Sequence, residues 1–156
     1  RSIEPSGANL VFSNKMEGQS TGVEGWGTLH VTEDWRLSAG GLIQNQELEL
    51  ASDSADPLGV RAAGNDPDYQ WMLRSAVNVT RQVEFDVALR HVAKLPDPSV
   101  PAYTAIDMRL GWRPRPDVEL SLAGQNLFDP QHPEVGTAAA RSELARSVYG
   151  KITWRF

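Results

Sequence analysis

The sequence predicts an all-β chain, an antiparallel, up-and-down transmembrane β-barrel segment of about eight strands. Three observations lead there. Apolar and polar side chains alternate with period 2 in segment after segment, and charge keeps to one of the two faces. The connections alternate between very short and long. The aromatic residues gather toward the ends of the segments. A membrane-spanning strand needs only about 10 residues, with alternate ones apolar, so the absence of any apolar run longer than three residues fits this class.

In chain order, strands are expected at about 7–13, 20–32, 35–48, 69–80, 82–93, 102–113, 117–127 and 147–156, with Gly and Pro mostly between them or at their edges. The first is carried by Leu10-Val11-Phe12. The second places Val23, Gly25, Gly27, Leu29 and Val31 on its more apolar face, and the third Trp35, Leu37, Ala39, Gly41 and Ile43. The fourth places Tyr69, Trp71, Leu73, Ser75, Val77 and Val79 there, and the fifth Val83, Phe85, Val87, Leu89 and His91. The sixth contributes Thr104, Ile106, Met108, Leu110 and Trp112, and the seventh Val118, Leu120, Leu122 and Gly124. The last contributes Val148, Gly150, Ile152, Trp154 and Phe156. None of these positions is charged, although 22% of the chain is. The opposite face carries Glu24, Arg36, Arg74, Glu84, Asp86, Arg90, Asp107, Arg109, Glu119, Lys151 and Arg155. Residues 137–146 have the composition of a short helix inside a loop.

The short connections are Thr32-Glu33-Asp34, Thr80-Arg81 and Pro114-Arg115-Pro116; the long ones cover about 49–68, 94–101 and 128–146. Bacterial outer-membrane barrels sort short turns to one side and long loops to the other in this way, whereas a soluble sandwich has no reason to. Trp35, Trp112, Trp154 and Phe156 fall at the short-turn end of the charge-free face, and Tyr69 and Trp71 at the long-loop end. Trp35, Trp71, Trp112 and Trp154 therefore read as a lipid-interface girdle, where a ring keeps one edge wet and the other in hydrocarbon. Trp26, Tyr103 and Tyr149 fall on the polar face instead. On that face Glu84, Asp86 and Arg90 of one strand, with Asp107 and Arg109 of the next, are candidates for interior ion-pair ladders facing the lumen.

Composition excludes other classes. The net charge of −5 lacks the basic stripe of a nucleic-acid binder. With no cysteine there is no disulfide, thiolate metal site or cysteine nucleophile. His30, His91 and His132 lie in different segments without metal-ligand spacing. Asp53, Asp56, Asp66 and Asp68 lack calcium-loop spacing and read as a solvated external loop. No nucleophile elbow, phosphate loop or dinucleotide fingerprint is present, so the chain is expected to be neither an enzyme nor a cofactor carrier. The first residues, Arg1-Ser2-Ile3-Glu4, do not form a signal peptide, which suggests a mature chain or one cut from something longer.

Several stretches carry a family resemblance. Gly22-Val23-Glu24 follows Asn14-Lys15-Met16-Glu17-Gly18, and Leu95-Pro96 precedes the run from Val100-Pro101-Ala102-Tyr103 to Gly111-Trp112. Gly124-Gln125-Asn126-Leu127-Phe128-Asp129 opens a long loop, and Val148-Tyr149-Gly150-Lys151-Ile152-Thr153-Trp154-Arg155-Phe156 closes the chain. Together they resemble the C-terminal end of the barrel of TonB-dependent outer-membrane receptors for iron–siderophore complexes and similar scarce ligands. The turn motif is Asn126, Leu127, Phe128 and Asp129.

The resemblance implies that residues 1–156 are the C-terminal segment of a 22-stranded barrel, without the plug domain and the earlier strands. It implies location in the bacterial outer membrane, contact with its lipid, a small ligand such as a metal chelate, and energy from the TonB system through a region N-terminal to this one. It also implies that Val148, Gly150, Ile152, Trp154 and Phe156 form the signal read by the barrel-assembly machinery. Two alternatives stand beside it: a complete closed eight-stranded membrane barrel, and a soluble eight-stranded barrel holding an apolar ligand.

Overall fold

The computed structural model describes residues 1–62 and 65–156, so residues 63 and 64 of the long 49–68 connection lie outside the described residues. Seven strands form one antiparallel sheet in the order β13-β10-β9-β6-β5-β4-β3. They are β3 (Met16–His30), β4 (Trp35–Leu50), β5 (Tyr69–Asn78), β6 (Val83–Val92), β9 (Tyr103–Arg115), β10 (Val118–Gln125) and β13 (Ser147–Trp154). Three small hairpins lie outside it: β1 (Ser2–Ser6) with β2 (Asn9–Ser13), β7 (Leu95–Pro96) with β8 (Ser99–Val100), and β11 (Gln131–Pro133) with β12 (Glu143–Ala145). A 3-10 turn covers Gly59–Ala62. The large sheet is open, with β3 and β13 as its edges, and no closed barrel forms among the described residues.

Two expectations differ from this. The stretch at 7–13 is not a wall strand: it is the second arm of the β1–β2 hairpin, turned at Gly7 with φ of 62°. Three consecutive apolar residues present no single face to a sheet, and glycine at a positive φ closes the local hairpin instead. Residues 137–146 form no helix either. One turn closes where Ala140 and Arg141 N–H donate to the Thr137 carbonyl, and the chain then enters β12. A single turn with no apolar face to bury does not propagate.

Directly opposed residues in an antiparallel pair share a face. One row runs Gly27, Ala39, Leu73, Leu89, Ile106, and another Trp35, Val77, Phe85, Leu110, Leu122, Gly150. The charge-free residues of each strand thus meet charge-free residues of the next. The register shift between Val118 and Leu120 is the one irregularity within these wall pairings.

The charge-free stretch is at least nine residues long in β4 (Trp35–Ile43), β5 (Tyr69–Val77), β6 (Val83–His91) and β9 (Thr104–Trp112). Its centre is Gly27 in Val23–Val31 and Ile152 in Val148–Phe156. The row of Gly27 crosses β9 at Ile106, and the row of Ile152 crosses it at Trp112. These are six residues apart, over the six steps from β3 to β13. An average of one residue of stagger per step, about 3.3 Å against a strand spacing of about 4.8 Å, corresponds to strands tilted by about 35°, as in barrels.

Beyond Val23 and Ile43 the same face becomes polar within two residues. It continues as Thr21 opposite Asn45, Gln19 opposite Glu47 and Glu17 opposite Glu49. The β3–β4 hairpin therefore projects past the apolar band on the long-loop side.

Very little of the chain is interior. Among the described residues, Ala93, Val100, Ala105, Ala123 and Pro133 are the buried apolar side chains, while Val23, Ile43 and Ile152 are 76%, 69% and 75% exposed. The accessible surface is 10974 Å². A compact protein of 17.2 kDa exposes about 7,800 Å². The excess is that of a wall whose two faces both await cover.

Candidate functional site

The polar face builds an ion-pair network around Arg109. Its Nη1 lies 3.2 Å from Glu84 Oε2 and 3.0 Å from Asp86 Oδ2, and its Nη2 lies 2.6 Å from Glu119 Oε1. Arg113 extends the network to Glu84 at 2.8 Å and Glu119 at 3.2 Å. Arg74 reaches Asp86 at 3.9 Å. The register sets Asp86 directly across from Arg109, and Glu84 across from Gly111. A Cβ at Gly111 would stand 2.8–3.2 Å from the Arg109 guanidinium, so the glycine gives that group room to lie against the strand.

Three expected members, Glu84, Asp86 and Arg109, are brought together. Arg90 and Asp107 join a second cluster, at the long-loop end, instead. Glu119 and Arg113 are members that the ladder expectation omitted. Glu119 already lay on the charged face of its strand, which was the available signal.

The second cluster ties the loop after β10 to the wall. Asn126 takes a positive φ of 55°, and its N–H donates to Asp107 Oδ1 at 2.9 Å. Its side-chain amide donates to the Leu144 carbonyl at 3.0 Å. Leu127 N–H donates to the Ile106 carbonyl, and the Leu127 side chain covers Gly124, where a Cβ would come within 2.6 Å of it. Asp129 Oδ1 accepts the Gln131 N–H, while Asp129 Oδ2 lies 3.1 Å from His132 Nδ1. Phe128 is 71% exposed. His132 is buried and stacked on Tyr103 at 4.1 Å between ring centroids. Its Nε2 lies 3.4 Å from Glu134, which also takes Arg90 at 3.3 Å. His132, for which the sequence offered no metal-ligand spacing, is the anchor of its loop.

On the charge-free face, Trp35 donates its indole N–H to Ser75 Oγ at 3.1 Å, and Trp154 donates to Asp117 Oδ2 at 3.2 Å. Trp112 is 47% exposed. Trp71 and Tyr69 each stack on His91 at 5.6 Å. Val148, Gly150, Ile152, Trp154 and Phe156 lie along the free edge of the sheet, with Trp154 and Phe156 edge to face at 6.4 Å. On the polar face, Trp26 packs directly over Gly40, leaving no space there for a Cβ.

On the long-loop side the β1–β2 hairpin docks on residues 53–56. Ser54 Oγ and Ala55 N–H donate to the Glu4 carboxylate at 2.6 and 2.7 Å, and those two donors hold its pKa below the ordinary carboxylate range. Lys15 pairs with Asp53 at 3.1 Å, and Ile3 N–H donates to Asp56. These aspartates are thus partly engaged by the hairpin. No group of three His, Asp or Glu side chains among the described residues is placed to hold a metal ion.

The arrangement can line an aqueous interior with networked charges and latch loops over one end of it. No nucleophile with an adjacent base appears in either cluster.

No protein-family profile and no curated protein matches the chain. Among solved structures, the fold is similar to that of the ferric-catecholate import receptor Fiu of E. coli K12 in its closed form, with a TM-score of 0.67 and 16% identity. The match covers 99% of this chain and 23% of that receptor, so the chain spans about a quarter of the length of the protein it resembles. The likeness is one of fold, and the open antiparallel sheet is consistent with a fragment of a β-barrel.

Proposed function

We propose that the chain is a segment of the wall of a bacterial outer-membrane transport receptor, contributing strands and outer loops for uptake of an iron–siderophore or similar scarce ligand. The observation that carries this is the charge-free band of at least nine residues, exposed or half-buried, staggered by one residue per strand on average and giving way to polar residues at Thr21 and Asn45. A band of that height matches a bilayer core crossed by tilted strands. Trp35, Trp71, Trp112 and Trp154 then form the interfacial girdle, and the network of Glu84, Asp86 and Arg109 faces the lumen.

The open edges at β3 and β13 favour a wall that continues into further strands over a barrel closed by this segment alone. Residues 1–156 would be the C-terminal barrel segment, with a plug and a TonB-contacting region elsewhere in the protein. Val148, Gly150, Ile152, Trp154 and Phe156 would serve the barrel-assembly machinery. Import of a ferric catecholate by the structurally similar receptor supports a metal chelate as ligand.

An antibody against residues 147–156, applied to fractionated cells, tests the reading. An outer-membrane band several times heavier than 17.2 kDa is expected. A soluble band refutes membrane location, and a heat-modifiable outer-membrane band near 17 kDa refutes the receptor in favour of a small barrel.

A further inference from the structure

We propose that the polar wall holds a carboxylate-binding site between Arg36 and Arg74, near the short-turn end. The proposal rests on the reading of this face as the lumen wall. The register sets Arg36 opposite Ala76 and Ser38 opposite Arg74, so the two arginines are diagonal neighbours on one face. Between them lie a methyl group and a hydroxyl. Arg36, Ser38, Arg74 and Ala76 surround a hollow of about 130 Å³. It adjoins a polar cavity of about 290 Å³ that reaches Asn78 and the Arg109 network.

The charges around this space do not balance. Arg36, Arg74, Arg109 and Arg113 border the larger cavity with Glu84 and Asp86, and Glu119 stands behind Arg109 and Arg113. Four cations thus meet three carboxylates. Glu84, Asp86 and Glu119 are all engaged by Arg109 or Arg113 at 2.6–3.2 Å. Arg74 has only the 3.9 Å approach to Asp86, and its side chain is 57% exposed. Arg36 pairs with no carboxylate among the described residues.

Two neighbouring cations repel, and more strongly where the surroundings exclude bulk water. A carboxylate between the two guanidinium forks turns that repulsion into charge-assisted hydrogen bonding. The carboxylate comes either from an acidic side chain of a segment occupying the lumen or from a carboxylate-bearing solute inside it.

The test uses the intact protein extracted from the outer membrane. Failure of the lumen reading shows first, as absence from that fraction, and is separate from failure of the site. Calorimetric titration with citrate at constant ionic strength probes the solute source. Saturable binding is expected, weakened about tenfold in Arg36→Gln and in Arg74→Gln, with membrane recovery unchanged. Carbodiimide coupling of the Arg36→Lys variant probes the side-chain source. An amide to an Asp or Glu outside this wall, located by peptide mass spectrometry, is the expected product. Either result supports the site. It is overturned if citrate fails to bind the wild type, or binds both glutamine variants as tightly as the wild type, and no amide forms to an Asp or Glu outside this wall, coupling to Glu84 or Asp86 alone counting as none.

Discussion

Replacing Val87 and Ala88 in turn by arginine separates the two faces of one strand with a single chemistry. Val87 is the centre of the Val83–His91 stretch and is paired with Ser75 and Met108 on the charge-free face. Ala88, the next residue, is paired with Arg74 and Asp107 on the polar face. If the charge-free face meets lipid, Val87→Arg puts a guanidinium at the middle of the hydrocarbon, at a cost of about 2–4 kcal/mol in a barrel wall. That is about a 30- to 800-fold shift in the folding equilibrium. Ala88→Arg enters a polar, water-accessible surface with Asp107 across from it and should change stability by less than about 1 kcal/mol. Urea titration of the intact protein folded into lipid vesicles, followed by heat-modifiable mobility, measures both. Equal midpoints for the two variants, or a larger loss for Ala88→Arg, would refute the lipid-facing assignment. In a soluble barrel with the charge-free face inward, no lipid would be needed for either variant to fold.

Arg109→Met leaves Glu84, Asp86 and Glu119 facing one another without their shared cation, and a loss of about 2 kcal/mol in the same titration is expected. Arg109→Lys should recover only part of it, because an ammonium cannot present the planar fork that reaches all three. Asn126→Ala is expected to be about 1 kcal/mol less stable than Asn126→Gly: both lose the bond to Leu144, and only alanine resists the positive φ. The Glu4 carboxyl titrates below its ordinary value when the hairpin is docked, so its contribution is present above about pH 4.5 and is lost as pH falls through the lowered value. Proteolysis at residues 51–58 should accordingly accelerate in acid for the wild type, and the acid-dependent step should disappear in Glu4→Gln.

Periodicity made the wall legible because a strand has only two faces. Once Trp35 or Phe85 is assigned to one, every second residue follows, and the register joins Trp35 through Val77 to Phe85 as that assignment requires. What periodicity cannot supply is the partner of each charge. Arg90 and Arg109 looked equivalent, both on the polar face of adjacent segments. Arg109 finds carboxylates on the two neighbouring strands, whereas Arg90 pairs with Glu134, 44 residues away on a loop. That contact depends on how the loop after Asn126 folds back, and the loop is held by His132 against Tyr103, an arrangement without a sequence period. Gly111 illustrates the same limit from the other side. In the strand pattern it is a neutral gap, yet its missing side chain leaves room for the guanidinium on which three carboxylates converge. The faces follow from local alternation, but the network on them follows from which strands and loops become neighbours. A one-residue slip of β9 against β6 would break the pairing of Asp86 with Arg109 and send Arg109 toward the charge-free face. The ion pairs therefore help to specify the register in addition to any stability they contribute.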